Sequence, residues 1–334
     1  MTMKEIAEMA NVSISTVSRV INNERGVKPA TRERVEKVIN ETGYRPNQLA
    51  RRLIRKETNI IGIMLPWIHS CYLQRVNAIS AVCRSRDYGM MILASGSDRE
   101  EEIKDFYLLY EKQVDGIIYS AHKITDDYKR MLEEMHKQIP IVTIDQEIKD
   151  LNIPCVVHDS YDGARKAIMY LIENGHTKIA FIGGLDEYDV NAEDRLRGFK
   201  DTLAEHKILI PEEYIGKGDF GLSTGYHEMI NILERSPEKP TALFAANDET
   251  AIGAIHAIFE KGLHVPNDIS VVGYDGINFA EHSNPPLTTI SQDQYEVGIQ
   301  AANLLLEYIQ KKTVKIKKIV MGQELIVRNS TRRI

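Results

Sequence analysis

The stretch from Ser13 to Asn23 contains no carboxylate, although Asp and Glu (48) outnumber Lys and Arg (42) in the whole chain. Ile14, Ser15 and Arg19 fall at spacings that place them on one face of a helix. An arginine and a hydroxyl can hydrogen-bond base edges, an apolar side chain can meet a thymine methyl group, and a carboxylate-free face can approach phosphates. We therefore predict that these three residues read bases in a major groove, while Ser18 and Asn22 contact phosphate.

Local signals around this stretch predict the elements that position it. Thr2 and Glu5 have capping-box spacing, so a first helix is expected to run from there to about Ala10. Asn11 and Val12 then form a turn, and the Ser13 hydroxyl caps the second helix. Val12, Val17, Val20 and Ile21 form an apolar face that packs on Ile6 and Ala10. The pattern is that of a helix-turn-helix, although a helix pair that only packs has the same local signature.

A third helix is predicted from Pro29 to Thr42, and Gly43 ends it. In the segment that follows, Asn47 is placed to cap a helix of about two turns, which is marginal alone in water. We expect this helix to form only when a second copy and a polyanion stabilise it. The segment therefore predicts a hinge.

Charge and composition restrict the class of protein. Residues 1–59 hold 12 Lys and Arg against 7 Asp and Glu, whereas the remainder holds 30 against 41. The basic segment is where a polyanion is expected to bind. Three cysteines have no metal-type spacing, so no metal site is predicted. We also predict no cofactor. No apolar run has the length of a membrane span, and a soluble, cytoplasmic protein is expected.

From Ile60 onward, short apolar runs alternate with helical patterns, as in the helices predicted at residues 72–86, 161–174 and 295–310. Alternation of this kind predicts crossover units and parallel sheets covered on both faces. Because the runs are too many for one modest sheet, we predict two doubly wound lobes, an architecture like that of periplasmic binding proteins. The runs begin at Ile60, Met90, Gly116, Ile141, Ile179, Ala242 and Ile269.

In such sheets, ligands bind beyond the carboxyl ends of the strands. The residues at these predicted ends include Asp145, Asn247 and Asp275, and there is no glycine-rich phosphate fingerprint among them. Carboxylates, an amide and an arginine around an aromatic ring are suited to a polyhydroxylated ligand, because they can bind neighbouring hydroxyls and a flat sugar face. These features indicate a carbohydrate site.

The chain resembles the lactose/galactose repressor (LacI/GalR) family over essentially its whole length. The resemblance is carried by Ile6-Ala7, Asn11-Val12-Ser13, Ser15-Thr16-Val17-Ser18-Arg19-Val20, Gly43-Tyr44-Arg45-Pro46-Asn47 and Ala50-Arg51-Arg52-Leu53. It implies a DNA-binding repressor in which Thr16, Asn47, Ala50 and Arg51 join the DNA-contacting residues. Leu53 matches the leucine that inserts between base pairs in the minor groove. Packing of Leu53 on a second copy is the alternative.

The resemblance also assigns effector-binding residues. Arg195 matches the family's arginine, Phe220 its stacking aromatic, Asn247 its amide and Asp275 its carboxylate, while Asp145 and Ser120 match positions in the first lobe. Where the family commonly has Pro-Asp-Ile-Ser-Asn-Pro-Phe, this chain has Pro66 to Tyr72, so Tyr72 is the expected wall there.

Structural roles compete for some of these residues. Arg195 can pair with Glu193 or Asp194 on its own helix, Asp145 can hold a turn, and Asp248 can cap the next helix. His158 and His256 are expected to be structural.

The expected organisation is a head at 1–44, a hinge at 45–59 and a body at 60–334 for effector binding and dimerisation. Lobe one is placed at about 60–157 and 290–319, and lobe two at about 158–289 and 320–334. The expected function is a homodimeric repressor of a carbohydrate-utilisation operon, with operator double-stranded DNA and a small sugar as partners. Alternatives are a regulator that binds a purine or another non-sugar ligand, a sugar transport receptor, and an enzyme; the sequence has no recognisable nucleophile and base pair, so no enzyme is predicted.

Overall fold

The chain forms two compact units, Met1–Thr58 and Asn59–Ile334. In this computed structural model, the described residues are 1–21, 24–44, 58–66, 70–96, 98–120, 125–148, 150–184 and 190–334. The short hinge helix and the predicted DNA-contacting residues Asn22, Asn47, Ala50, Arg51 and Leu53 lie outside these ranges. Among the described residues, no helix is both long and apolar enough to cross a membrane.

The described part of the first unit consists of helices α1 (Met3–Met9), α2 (Ile14–Ile21) and α3 (Pro29–Thr42). The predicted capping box is present, because the Thr2 N–H donates to Glu5 Oε2 at 2.8 Å and the Glu5 N–H donates to Thr2 Oγ1 at 3.3 Å. Gly43 ends α3 in the left-handed region, with φ of 61°. These predictions of helix bounds are confirmed.

A small apolar core holds the three helices together. Asn11 makes the turn after α1 with φ of 50°, a value that asparagine tolerates better than most residues. The Ser13 Oγ then accepts from the Thr16 N–H at 3.2 Å at the start of α2. Of the predicted apolar contact, Ile6, Ala10, Val17 and Val20 are buried, and Val12 and Ile21 are partly buried against them. Ala7, Val35 and Tyr44 complete this core.

The second unit alternates strands and helices along most of its length. Its strands are β1 (Ile60–Leu65), β2 (Gly89–Ala94), β3 (Gly116–Ser120), β4 (Ile141–Ile144), β5 (Cys155–His158), β6 (Ile179–Gly184), β7 (Ile215–Gly218), β8 (Ala242–Ala245), β9 (Ser270–Asp275), β10 (Thr288–Gln292), β11 (Lys318–Met321) and β12 (Gln323–Ile326). Its helices are α4 (Ser70–Ser85), α5 (Arg99–Glu111), α6 (Asp126–His136), α7 (Ser160–Glu173), α8 (Val190–Glu205), α9 (Leu222–Arg235), α10 (Asp248–Glu260), α11 (Asn278–His282) and α12 (Gln294–Lys311), with a short 3₁₀ helix at Glu212–Tyr214.

These strands form two six-stranded sheets, and we call each sheet with its helices a lobe. The order in the first sheet is β11-β5-β4-β3-β1-β2, and in the second it is β12-β10-β9-β8-β6-β7. The strand pairs are parallel except for β10 with β12. In each sheet the strand order reverses direction at the strand next to one edge, which is β1 in the first sheet and β6 in the second. Doubly wound sheets open a crevice at such a reversal. The predicted fold class is confirmed.

Apolar side chains cover both faces of each sheet, as buried parallel strands require. In the first lobe, Ile61 and Ile63 pack with Leu305 of α12, while Met64 and Ile117 pack on the other face with helices α5 and α6. In the second lobe, α9 and α10 cover one face, and α7 and α8 cover the other.

The chain passes between the lobes at three segments, which we call the crossovers: His158–Ser160, Gln292–Gln294 and Met321–Gln323. The segment Pro285–Ile290 resembles the family's return to the first lobe. Its second half, Thr288–Ile290, instead belongs to β10, which pairs with β9 of the second sheet, so the return begins only after Gln292.

Two glycines allow α9 and α10 to approach at backbone distance. A Cβ on Gly225 would lie 2.0 Å from the Thr250 carbonyl oxygen, and a Cβ on Gly253 would lie 2.0 Å from that of Leu222. Because backbone atoms cannot move aside as a side chain end can, only glycine fits at these two positions. The close packing brings the loop before α9, with Phe220, against the start of α10, with Asn247.

Candidate functional site

Helix α2 presents three of its predicted base-reading side chains to solvent. Ile14 is 49% exposed, which is unusual for a large apolar side chain, and Ser15 and Arg19 are also exposed. The Ser15 hydroxyl lies 2.8 Å from the Ser13 hydroxyl. Thr16 and Ser18 are half-buried at the edge of the same face. The exposed surface of α2 is therefore uncharged except for one arginine.

In the first lobe, the ends of β3 and β4 bring Ser120 and Asp145 together. The Ser120 hydroxyl donates to Asp145 Oδ2 at 2.8 Å. Burial alone raises the pKa of Asp145, but the Arg75 guanidinium beside it lowers the pKa below its ordinary value. Asp145 is consequently a carboxylate at neutral pH.

Arg75 of α4 pairs with Asp145 through two hydrogen bonds and is only 2% exposed. Tyr72, one turn earlier on the same helix, places its ring 5.1 Å from the Arg75 guanidinium carbon. The predicted wall residue Tyr72 thus adjoins Asp145 through Arg75. Sequence reasoning missed Arg75, although its position on the apolar stripe with Ala78, Ile79 and Cys83 is the signal of a buried, paired charge.

The second lobe holds a similar pair. Arg195 of α8 donates from Nη2 to Asp275 Oδ1 at 3.2 Å and from Nη1 to the Ala246 carbonyl oxygen. Its guanidinium lies 3.9 Å over the centre of the Tyr274 ring. Arg195 is buried, so a weak surface pair with Glu193 or Asp194 on its own helix does not describe it.

Phe220 and Asn247 lie beside this pair and contact each other. The Asn247 side-chain amide donates to the Phe220 carbonyl oxygen at 2.8 Å, and its Oδ1 accepts from the Thr250 N–H at 2.9 Å. Asn247 is therefore the cap of α10, and the expectation that Asp248 caps this helix is wrong. Asp248 is fully buried in the first turn and accepts from the Ile277 N–H at 2.8 Å and the Thr289 hydroxyl at 2.5 Å.

Three of the predicted effector-binding residues have a left-handed backbone: Asp145 with φ of 71°, Phe220 with 68° and Asp275 with 103°. Such values are uncommon for residues other than glycine, and most of all for a phenylalanine. Strain of this kind concentrates at ligand sites, where the surrounding structure holds it in place. The hydrogen bonds that the Asp145 side chain makes in the described part of the chain go to Ser120 and Arg75, and not to the backbone of a turn.

His158 lies between the two arginine–aspartate pairs, at the first crossover. Burial lowers its pKa to about 4, and Asp145, Arg75 and Arg195 all lie close enough to affect that pKa. The imidazole is therefore neutral at neutral pH. Its Nε2 is buried and has no hydrogen-bond partner in the described part of the chain. His256, by contrast, is exposed and packs on the Tyr226 ring, 5.4 Å between centroids.

The charges of these groups cancel at neutral pH. Arg75 is balanced by Asp145, and Arg195 by Asp275. Burial, reinforced by the nearby Asp275 carboxylate, raises the pKa of Asp248 to about 8, so its carboxyl group is mostly protonated at neutral pH. This set of described residues therefore offers strong hydrogen-bond donors and acceptors but no net charge.

The raised pKa of Asp248 predicts how stability depends on pH. Between about pH 4 and pH 8 the folded chain binds a proton at Asp248 that the unfolded chain does not, so the free energy of unfolding falls as pH rises through this window. Asp248→Asn removes this titration and keeps a neutral group, whose Oδ1 can accept from the Ile277 N–H and whose amide can donate to the Thr289 hydroxyl. In the middle of this pH window, we expect the free energy of unfolding of the variant to rise relative to that of the parent by about 1 kcal/mol for each pH unit.

Urea unfolding at pH 5, 6, 7 and 8 measures this difference. Asp268→Asn is the matched control, because Asp268 is an exposed carboxylate of the same lobe. If the free energies of unfolding of Asp248→Asn and of the parent changed in parallel with pH, Asp248 would have to be ionised in the folded chain throughout this range.

A head with a helix-turn-helix and a two-lobed body with polar groups at the carboxyl ends of its strands define a class of protein: DNA-binding regulators that respond to a small ligand. Comparison with known families agrees. Residues 2–47 match the model of bacterial regulatory proteins of the lacI family, and residues 168–331 match that of a periplasmic binding protein-like domain.

Individual relatives cover the whole chain. Catabolite control protein A of Priestia megaterium is 34% identical over 99% of this chain and 99% of its own. A crystal structure of the lac repressor dimer bound to operator and the anti-inducer ONPF superposes with a TM-score of 0.91, at 30% identity over 99% of both chains. A complex of the transcriptional regulator CelR with cellobiose has a TM-score of 0.74, at 30% identity over 99% of both chains. The chain belongs to the LacI family of bacterial transcription regulators.

Proposed function

We propose that this protein represses transcription by binding operator DNA as a homodimer, and that a small neutral carbohydrate controls this binding. The observation that carries the ligand assignment is the pair of arginine–aspartate contacts, Arg75 with Asp145 and Arg195 with Asp275. Each offers charged hydrogen-bonding groups to vicinal hydroxyls, while their charges cancel. An anionic ligand would have to displace an aspartate or enter a site without net positive charge.

Within the cleft, Asp145, Ser120 and Tyr72 are assigned to the first-lobe wall of the ligand site. Arg195, Asp275, Asn247 and Phe220 are assigned to the second-lobe wall. Phe220 supplies the flat surface for an apolar sugar face. A ligand that touches both walls favours one lobe arrangement over the other, and only such a difference in affinity can change DNA binding.

In the head, Ile14, Ser15 and Arg19 are assigned to base edges, and Thr16 and Ser18 to the rim of the groove. A dimer pairs two heads with two half-sites, as in the lac repressor dimer bound to operator. The hinge positions Asn47, Ala50, Arg51 and Leu53, and Asn22 at the end of the recognition segment, remain sequence predictions for DNA contact. Because phosphate contacts release counterions, affinity is expected to fall steeply with salt.

The relatives include sugar-related and purine-related regulators, so a purine is the second candidate ligand. Thermal unfolding of the full chain with a panel of compounds separates the two, since a ligand that binds only the folded state raises the midpoint by mass action. The panel contains cellobiose, ribose and other neutral sugars, the matched acids glucuronate and galacturonate, glucose 6-phosphate, and the purines hypoxanthine, guanine and adenosine.

We expect a neutral sugar to raise the midpoint and to change the affinity for an operator selected from random duplex DNA. Stabilisation by an acid or phosphate sugar alone would contradict the charge argument, and stabilisation by a purine alone would select the other candidate. The stabilising compound is expected to be recovered unchanged, because binding alone is proposed. Conversion to a product would show that the cleft is catalytic.

A further inference from the structure

Arg75 contacts Gln294 of α12 as well as Ser120 and Asp145, which are assigned to the first-lobe wall of the ligand site. Its Nη1 donates to Asp145 Oδ2 at 2.7 Å and to Ser120 Oγ at 3.3 Å, and its Nη2 donates to Asp145 Oδ1 at 3.0 Å. On its other edge, Nε and Nη2 donate to Gln294 Oε1 at 3.0 and 2.5 Å. A planar guanidinium cannot move one edge without the other. Arg75 therefore ties the ends of β3 and β4 rigidly to the first residue of α12.

Gln294 continues the connection into the second lobe. Its side-chain amide donates to Gln292 Oε1 at 2.8 Å. Gln292 is the last residue of β10, where it pairs with Gln323 of β12 in the second sheet. Gln292, Gln294 and Gln323 are all buried, so water does not compete with these bonds. A continuous line of hydrogen bonds thus runs from Asp145 through a crossover to the second sheet.

Two further contacts hold helix α4 next to Arg75, one with α11 of the second lobe and one with α12 of the first. The Gln74 side-chain amide donates to Asn278 Oδ1 of α11, in the second lobe, at 2.9 Å. On its inner side, a Cβ on Gly298 of α12 would lie 2.4 Å from the Arg75 carbonyl oxygen, so the two helix backbones touch. A change in the angle between the lobes must therefore alter the Gln74–Asn278 bond or the link through Gln294.

Among the residues that the structure describes, the Asp145 carboxylate accepts three hydrogen bonds, one from Ser120 and two from Arg75. A carboxylate has about four acceptor positions, so one remains for a ligand hydroxyl. A ligand hydroxyl bound there donates to the same carboxylate that orients Arg75, so ligand binding changes the position of the carboxylate relative to the guanidinium.

We propose that Arg75 is a positioning residue that transmits the state of Asp145 to the Gln292–Gln294 crossover and so sets the angle between the lobes. The inference deepens the proposed function, because it assumes a ligand at Asp145. Arg75 itself has its donors engaged within the chain and acts through Asp145 and Gln294.

Hydrogen–deuterium exchange of the full chain, without ligand, tests this transmission. Asp145→Asn presents an amide N–H to the guanidinium and breaks the two-bond pair. We expect exchange of the backbone amides in the first turn of α12 to rise several-fold, with no change in α5 of the same lobe. In the Arg75→Lys background the same substitution is expected to add nothing, because lysine cannot bridge Asp145 and Gln294. The proposal would be overturned if Asp145→Asn left amide exchange in the first turn of α12 unchanged. It would also be overturned if Asp145→Asn raised this exchange equally with Arg75 and with Lys at position 75.

Arg86→Lys is the matched control. Arg86 follows α4 and donates to Asn303 Oδ1 of α12 at 2.8 Å, so it also joins these elements through an arginine and an amide, but at an exposed site. Arg86→Lys is expected to leave amide exchange in the first turn of α12 unchanged, whereas Arg75→Lys alone is expected to raise it. An equal rise in the two variants would contradict a specific role for Arg75.

If Arg75→Lys does not fold, Gln294→Ala cuts the same link and keeps the Arg75–Asp145 pair. Asp145→Asn should then have no further effect at α12, and an added rise would contradict the proposal. The exchange result stands whether or not any sugar binds, so its failure is distinguishable from failure of the ligand panel.

Discussion

Asp275→Asn is expected to lower the affinity for a stabilising sugar by about 100-fold, because a hydrogen bond to a charged acceptor contributes up to about 3 kcal/mol. Asparagine has nearly the same volume as aspartate, so it preserves packing around Tyr274. It lacks the charge that holds Arg195, whose side chain is 8% exposed, and it offers only one acceptor oxygen. Both effects weaken the second-lobe wall and leave the first lobe unchanged.

The measurement is a titration of operator-bound protein with that sugar, followed by fluorescence anisotropy of labelled DNA. Operator affinity without sugar should match that of the parent, whereas the midpoint of the sugar response should move to a sugar concentration about 100-fold higher. Asp201→Asn is the control, since Asp201 is an exposed carboxylate on α8 that accepts a hydrogen bond from Tyr161 outside the cleft. An unchanged dose response in Asp275→Asn would remove Asp275 from the ligand site.

Arg19→Ala is expected to weaken binding to a selected operator by about 10- to 100-fold, the range of a good base contact. On random duplex the loss should be no more than about threefold, since only one positive charge is removed. Arg19 is exposed on α2, on the same helix face as Ile14 and Ser15.

Arg34→Ala provides the comparison, because it removes one exposed charge from α3 of the same head and leaves α2 intact. Affinities for both duplexes, measured at two salt concentrations, separate base contact from phosphate contact. Equal losses on operator and random duplex would make Arg19 a phosphate contact.

The head was predictable almost to the residue because its signals are local. The Thr2–Glu5 capping box and the Gly43 stop depend on residues within one turn of a helix end, and both are present. The positions of β4 and β9 were also predictable, because each contains a continuous apolar run in the sequence. This is why Asp145 and Asp275 could be placed at strand ends.

The remainder depends on partners that are distant in sequence. Strands such as β5, β7 and β11 have only four residues each, and each is selected by pairing with a neighbour in its sheet. Arg75 pairs with Asp145, 70 residues away, and its role becomes visible only when the sheet is assembled. Asn247 and Asp248 are both good caps by residue type, and burial of Asp248 decides between them.

Because of the crossovers, the first lobe is completed only after most of the second lobe has been synthesised. The second sheet takes five of its strands from one continuous stretch, residues 179–292. The first sheet, although it begins earlier in the chain, lacks the helix α12 over one face and the edge strand β11 until residues 294–321 leave the ribosome. The nascent first lobe therefore exposes apolar residues such as Ile61 and Ile63 while the second lobe is made. This interval is when the growing chain is most exposed to aggregation and to chaperone capture.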